Sequence, residues 1–138
     1  MAVNGGILRL QTQGHGDIVD LTEGVARVVA TSGVERGLVA VFAVGATVGV
    51  TTMEYERGGV SDLQRLLDAL IPAEGDYEHN RLNHDTNSHA HLRAAIIGPS
   101  ETIPVIEGRL TLGTWQQIVL IDFDDRPRDR TVSVQVLC

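Results

Sequence analysis

Four histidines, His79, His84, His89 and His91, crowd into thirteen consecutive residues. Imidazole is the commonest protein ligand for zinc and similar ions, and three such side chains around an open coordination position make a hydrolytic or Lewis-acid centre. His89 and His91 are two residues apart, so they share a face on an extended chain and diverge on a helix. His79 lies ten residues before His89, a distance over which a loop folds back. No standard zinc signature is matched. The same spacing also describes solvated histidines, or ones that hydrogen-bond a loop to itself, and both readings stand at this point. Asp85 and Asn87 divide in the same way, into Asx-turn formers or partners that orient the imidazoles.

Other groups could do chemistry. Glu54 and Glu56 flank Tyr55 after a β-branched run and point to one face if extended. A carboxylate there is a general base, a metal ligand, or simply the wet end of a strand. Asp62 suits the first turn of a helix. Arg126, Arg128 and Arg130 could clamp a phosphate or diphosphate, but Asp122, Asp124, Asp125 and Asp129 stand beside them as ion-pair partners. Trp115, the only tryptophan, reads as a core residue in mid-strand.

The composition narrows these choices. All 11 basic residues are arginine, which excludes both a Schiff-base lysine and a phosphate-loop lysine. Eighteen acidic groups give a formal charge of −7, which disfavours nucleic acid and anionic membranes as partners. The lone cysteine, Cys138, cannot form an internal disulfide, and the chain reads as cytoplasmic. The first residues, Met-Ala-Val-Asn-Gly-Gly, lack the basic and apolar regions of a leader. The longest apolar stretch, Leu38 to Val50, is too short for a membrane span.

These residues need a scaffold, and 138 residues suffice for one domain over 1–138. The alternation from Gly6 to Gln13 predicts a strand. Asp20 or Thr22 caps a helix over about 23–32 that stops at Gly33. Residues 37–44 and 47–53 read as a hairpin turned at Gly45-Ala46. Ser61 caps a second helix whose Leu63, Leu66, Leu67, Leu70 and Ile71 repeat at helical spacing until Pro72. Residues 72–87 form an irregular polar loop, and 89–97 a short helix ended by Gly98-Pro99. A meander follows, with strands over 102–106, 110–123 and 130–137. The order indicates an α+β fold, an antiparallel sheet with two main helices.

Taken together, several motifs resemble the YjbQ-like family, also called secondary thiamine-phosphate synthases. They are Tyr77-Glu78-His79, Asp85, Asn87, His91-Leu92, Gly98-Pro99-Ser100, Ile103-Pro104-Val105, Gly108, Leu112-Gly113-Thr114-Trp115-Gln116 and Asp122-Phe123-Asp124 with Arg128 and Arg130. Thr51, Glu54 and Asp62 match upstream positions. The resemblance implies a β-sandwich-like antiparallel fold, homotrimers, and a histidine-lined metal site near the subunit boundary. It also implies thiamine-phosphate synthase activity, in which a pyrimidine diphosphate joins a thiazole phosphate with loss of pyrophosphate.

By that resemblance His79 and His91 match the family's two loop histidines and Glu54 its acidic residue after the strand. Most members carry a histidine where this chain has Gly45, in a His-Thr-Ser/Thr pattern. We infer from this that His89 replaces the lost ligand, giving His79, His89 and His91 with His84 in reserve around a divalent ion, zinc ahead of magnesium. Glu54 is then base or second ligand, Asn87 and Ser100 are polar positioning groups, and Arg128 or Arg130 contacts a small-molecule phosphate or diphosphate. Two other readings remain: a metal-dependent hydrolase or other small-molecule enzyme, and a metal- or metabolite-binding protein without chemistry.

Overall fold

The computed structural model describes residues 3–138; the leader-free start expected at Met1 and Ala2 lies outside the described residues. Ten-residue β1 (Val3–Thr12) pairs antiparallel with β8 (Arg128–Leu137), β8 with β3 (Arg36–Val44), β3 with β5 (Ser100–Ile106), and β5 with the two-residue β6 (Arg109–Leu110). A second antiparallel sheet has the order β2 (Asp17–Asp20), β7 (Gln117–Asp122), β4 (Val48–Met53). The helices are α1 (Thr22–Ser32), α2 (Arg57–Leu70), α3 (Glu78–Asn83) and α4 (Ser88–Ile97). This is the expected α+β class, with the antiparallel strands divided between two facing sheets.

Side-chain alternation explains the layering. On β8, Val132, Val134 and Val136 are buried while Gln135 is exposed, as a strand with one face inward requires. They join Val39, Val41, Val48, Val50, Ile118 and Leu120 between the sheets, with Val25 and Val29 of α1 in the same cluster. On β7 the alternate residues Val119, Ile121 and, just beyond it, Phe123 point the other way and meet Leu67 of α2 and Ala90 and Ala94 of α4. Because β7 is covered on both faces, it is apolar from Ile118 to Ile121. Each such Val, Leu or Ile contributes roughly 1.5–3 kcal/mol.

Five local expectations are corrected. β3 and β4 do not form a hairpin, since they pair in different sheets. At Gly45, with φ 150°, the chain crosses from one sheet to the other. The strand expected over 110–123 is broken for the same reason: β6 ends at Leu110, residues 111–116 cross between sheets, and β7 begins at Gln117. Trp115 therefore lies on the crossing, 72% exposed, instead of in the core. The second helix starts before Ser61, because the Glu56 carboxylate accepts from the Gly58 and Gly59 N–H groups and caps it, a side-chain cap of the usual kind. The polar loop also contains one organised piece, α3.

Candidate functional site

The loop folds back so that the rings of His79 and His91 meet edge to face, with centroids 4.7 Å apart. His79 belongs to the first turn of α3 and His91 to the first turns of α4. His91 Nδ1 lies 3.0 Å from the Ala46 carbonyl oxygen. A carbonyl only accepts, so Nδ1 carries the hydrogen and Nε2 keeps its lone pair, the arrangement that a carbonyl behind a ligating histidine produces. Ala46 stands at the crossing from β3 to β4, where the chain is anchored by Phe123 N–H donating to the Thr47 carbonyl at 2.9 Å.

Asn87, the residue before α4, sits between the histidine pair and the sheets. Its Oδ1 lies 3.2 Å from His79 Nε2, and its Nδ2 donates to Asp124 Oδ1 at 3.3 Å. Asp85 Oδ2 is 3.5 Å from His79 Nε2. Asp124 is itself held by Arg128 Nη1 at 2.9 Å and by the Thr47 hydroxyl. Burial alone would raise the Asp124 pKa, but hydrogen bonds from the Asp125 N–H and Asn87, with Arg128 and Arg130 nearby, hold it below its ordinary value.

The other sequence candidates stand elsewhere. His89 is two positions from His91 on a helix, about 200° around it, and is turned inward with 4% exposure. Its Nδ1 has no hydrogen-bond partner among the described residues. Burial first, and then Arg93, hold its pKa below 6.5. His84 closes α3 in the left-handed conformation, φ 51°, which gives it a capping role. Glu54 is exposed at the far end of β4, separated from the Ala46 end by six strand residues, roughly 17–20 Å. Ser100 opens β5 opposite Phe42 and is exposed.

Arg130 is 4% exposed and commits the Nε and Nη2 edge of its guanidinium inside the protein, to Asp122 at 2.6 and 2.8 Å and to Thr47 Oγ1 at 2.7 Å. Of the two arginines, only Arg128 retains surface, with a third of its side chain exposed. Among the described residues no three His, Cys, Asp or Glu side chains converge in a geometry that could hold a metal. The chain thus brings together His79, His91 and Asn87, with Asp85 and Asp124 behind them, and leaves Glu54, Ser100 and His89 apart. Asp124 and the Ala46 carbonyl were not expected. Asp124 had a signal in its motif, whereas a backbone carbonyl has none.

The profile described as "UPF0047 protein YjbQ-like" matches residues 6–138. The chain belongs to this family. A UPF0047 protein of Archaeoglobus fulgidus is 39% identical over 130 residues, covering 94% of this chain and 98% of that protein. One of Methanothermobacter thermautotrophicus is 36% identical over 129 residues, 94% of this chain and 88% of that protein. Among YjbQ-like structures, that of a YbjQ-like protein of Sulfolobus solfataricus P2 superposes with a TM-score of 0.93 at 30% identity, covering 98% of this chain and 96% of that one. A YjbQ/UPF0047 protein of Clostridium acetobutylicum reaches 0.88 at 36% identity, with 96% and 99% covered. The two-sheet architecture is therefore that of the YjbQ-like family. No helix among the described residues is long and apolar enough to cross a membrane.

Proposed function

We propose that the histidine pair is the centre of a small-molecule transferase of the thiamine-phosphate synthase type, assisted by a divalent ion, zinc ahead of magnesium. The observation that carries this reading is the His91 imidazole fixed on the Ala46 carbonyl with its ring against His79. Two oriented imidazoles are one short of the three protein ligands of ordinary catalytic zinc sites, so the ion would take its remaining positions from substrate phosphate oxygens and water. When bound, the ion would supply charge neutralisation for the departing pyrophosphate. Arg128, a third exposed and joined to Asp124, would be the protein cation for a phosphate, and Asn87 would position His79. We place the protein in the cytoplasm as a homotrimer, with a neighbouring subunit's surface closing the open side.

The test is titration of chelator-treated protein with zinc, together with thiamine phosphate formation from the pyrimidine diphosphate and thiazole phosphate. His79→Ala and His91→Ala should each weaken zinc binding at least tenfold and abolish product formation. Zinc binding that both variants retain would overturn the reading. A second reading, a hydrolase acting on phosphate esters, is favoured by the His79 and Asp85 couple at 3.5 Å, which resembles an acid–base pair. Phosphate-ester hydrolysis much faster than synthesis, and lost in Asp85→Asn, would select it.

A further inference from the structure

β1 stands at the rim of the five-stranded sheet and is paired on one side only, with β8. The pairing runs without a break from Val3 opposite Leu137 to Thr12 opposite Arg128, so no bulge interrupts the strand. Its sequence holds no proline, and Arg9 is its one charge. Bulges, prolines and charges are the devices that keep a sheet edge from pairing with another chain, and β1 has almost none of them. Among the described residues the other edges are short or already used. β6 has two residues and β2 four, and on β4 the Val50 N–H donates to the Gly98 carbonyl at 2.9 Å.

α1 packs on the inner face of β1, where Gly24 lies beside Leu8 and Gly6 beside Val28. Two clefts of about 300 and 370 Å³, lined by both elements, remain next to the strand edge. They share Leu8, Gly24 and Arg27 and so form one trough along the strand. Glu23 and Arg27, one turn apart on α1, are exposed on its wall, with Asp20 and Arg9 near them. Neither the Glu23 nor the Arg27 side chain has an ion-pair or hydrogen-bond partner among the described residues. Two acids and two arginines give an acidic or a basic peptide no advantage here. They suit a partner that carries the same set in reverse order, and a second copy turned about a two-fold axis does so. The turn sets β1 antiparallel to β1, and it brings Glu23 of each copy opposite Arg27 of the other.

We propose that the β1 edge is a self-pairing surface, through which two copies of this chain join β1 to β1 about a two-fold axis near Leu8 and Gly24. The unpaired backbone N–H and C=O groups of each edge then complete a ladder with the other, the two five-stranded sheets become continuous, and the Glu23 and Arg27 pairs fix the register. This surface belongs to β1 and α1, apart from the histidine pair, and stands or falls independently of the proposed function. In a homotrimer it would join two trimers.

The experiment is sedimentation equilibrium of the full chain as wild type, Glu23→Arg, Arg27→Glu and the double exchange. The wild type should contain two or six chains; one or three would overturn the proposal. Each single exchange sets like charges opposite one another and should weaken the contact at least tenfold, halving the assembly. The double exchange restores opposite charges and should recover the wild-type affinity to within about threefold. Single variants that associate as the wild type does, or a double variant as weak as the singles, would overturn the pairing. Both residues are exposed, so the variants should keep the native circular dichroism spectrum. Hydrogen–deuterium exchange then locates the contact: residues 3–12 should exchange more slowly in the wild type than in Arg27→Glu, and equal exchange would overturn the strand edge as the surface involved.

Discussion

Asp122 and Arg130 face each other in a two-point pair: Nε and Nη2 donate to the two carboxylate oxygens at 2.6 and 2.8 Å, with side chains 0% and 4% exposed. The Thr12 hydroxyl donates to the same carboxylate, and Arg130 also reaches Thr47, so the pair fastens β1, β7, β8 and the crossing into β4. Removing one partner strands the other charge where water cannot reach it. Arg130→Met should lower unfolding stability by about 3–5 kcal/mol, read from urea denaturation. A loss under about 1 kcal/mol would show that the pair contributes little.

The same carboxylates predict how stability responds to acid. Burial would raise the Asp122 pKa, but the hydrogen bonds from Arg130 and Thr12 outweigh it and hold the group below 3.8. Asp124 is depressed likewise. For a depressed acid the unfolded chain takes up the proton first, so the stabilisation is complete above the ordinary carboxylate range and is lost as pH falls below it. Stability should drop steeply below about pH 4, and Asp122→Asn should flatten that limb.

His89 adds a second, higher window. Its folded pKa lies below 6.5, so between that value and 6.5 the unfolded chain binds a proton that the folded chain refuses. Stability of chelator-treated protein should therefore fall as pH is lowered from 6.5, with a slope of at most about 1.4 kcal/mol per pH unit from this group. His89→Gln should reduce the slope between pH 6.5 and 5. A wild-type stability that rises over this interval would contradict the assignment.

Gly45 is predicted to resist substitution. Its φ of 150° is one that side chains rarely adopt, and an added Cβ would approach Arg130 Nη1 to 2.8 Å. Gly45→Ala should cost about 1–3 kcal/mol. Equal stability in a thermal melt would mean that the crossing relaxes freely.

Trp115, as the sole tryptophan, reports on its own surroundings. At 72% exposure in the single chain, its fluorescence should be readily quenched by acrylamide at high dilution. A blue shift as concentration rises would mark self-association through this face, and a protected indole at all dilutions would contradict an exposed position.

The elements were legible wherever a period was strong. The leucine spacing of α2, the Gly33 stop after α1 and the valine alternation of β8 all predict what is found. Sheet membership was not legible. Gly45-Ala46 and residues 111–116 read as a tight turn and as continuous strand, because local sequence encodes extended backbone and bends without encoding which strand will be the neighbour. The start of α2 was missed because Ser61 offered a cap residue inside the helix, whereas the cap is the Glu56 carboxylate, which takes up the Gly58 and Gly59 N–H groups.

The site was partly legible for a similar reason. Clustered histidines mark His79 and His91, but their use depends on which side of a helix each occupies. Once 88–97 is helical, His89 must face away from His91, and the spacing that suggested one ligand set divides it. Arg130 carried the right charge for phosphate, but the strand alternation of β8 turns it inward to Asp122.

The crossing at Gly45 to Thr47 has one further consequence. Its Ala46 carbonyl holds His91, while Thr47 beside it accepts from Arg130 and Phe123. The histidine centre is thus wired to the corner where the two layers are clasped, and any splaying of the sandwich must tug on His91. The histidine pair and the clasp between the two layers thus share one short stretch of backbone, and a ligand bound by His91 would bear on the same residues that tie the sheets together.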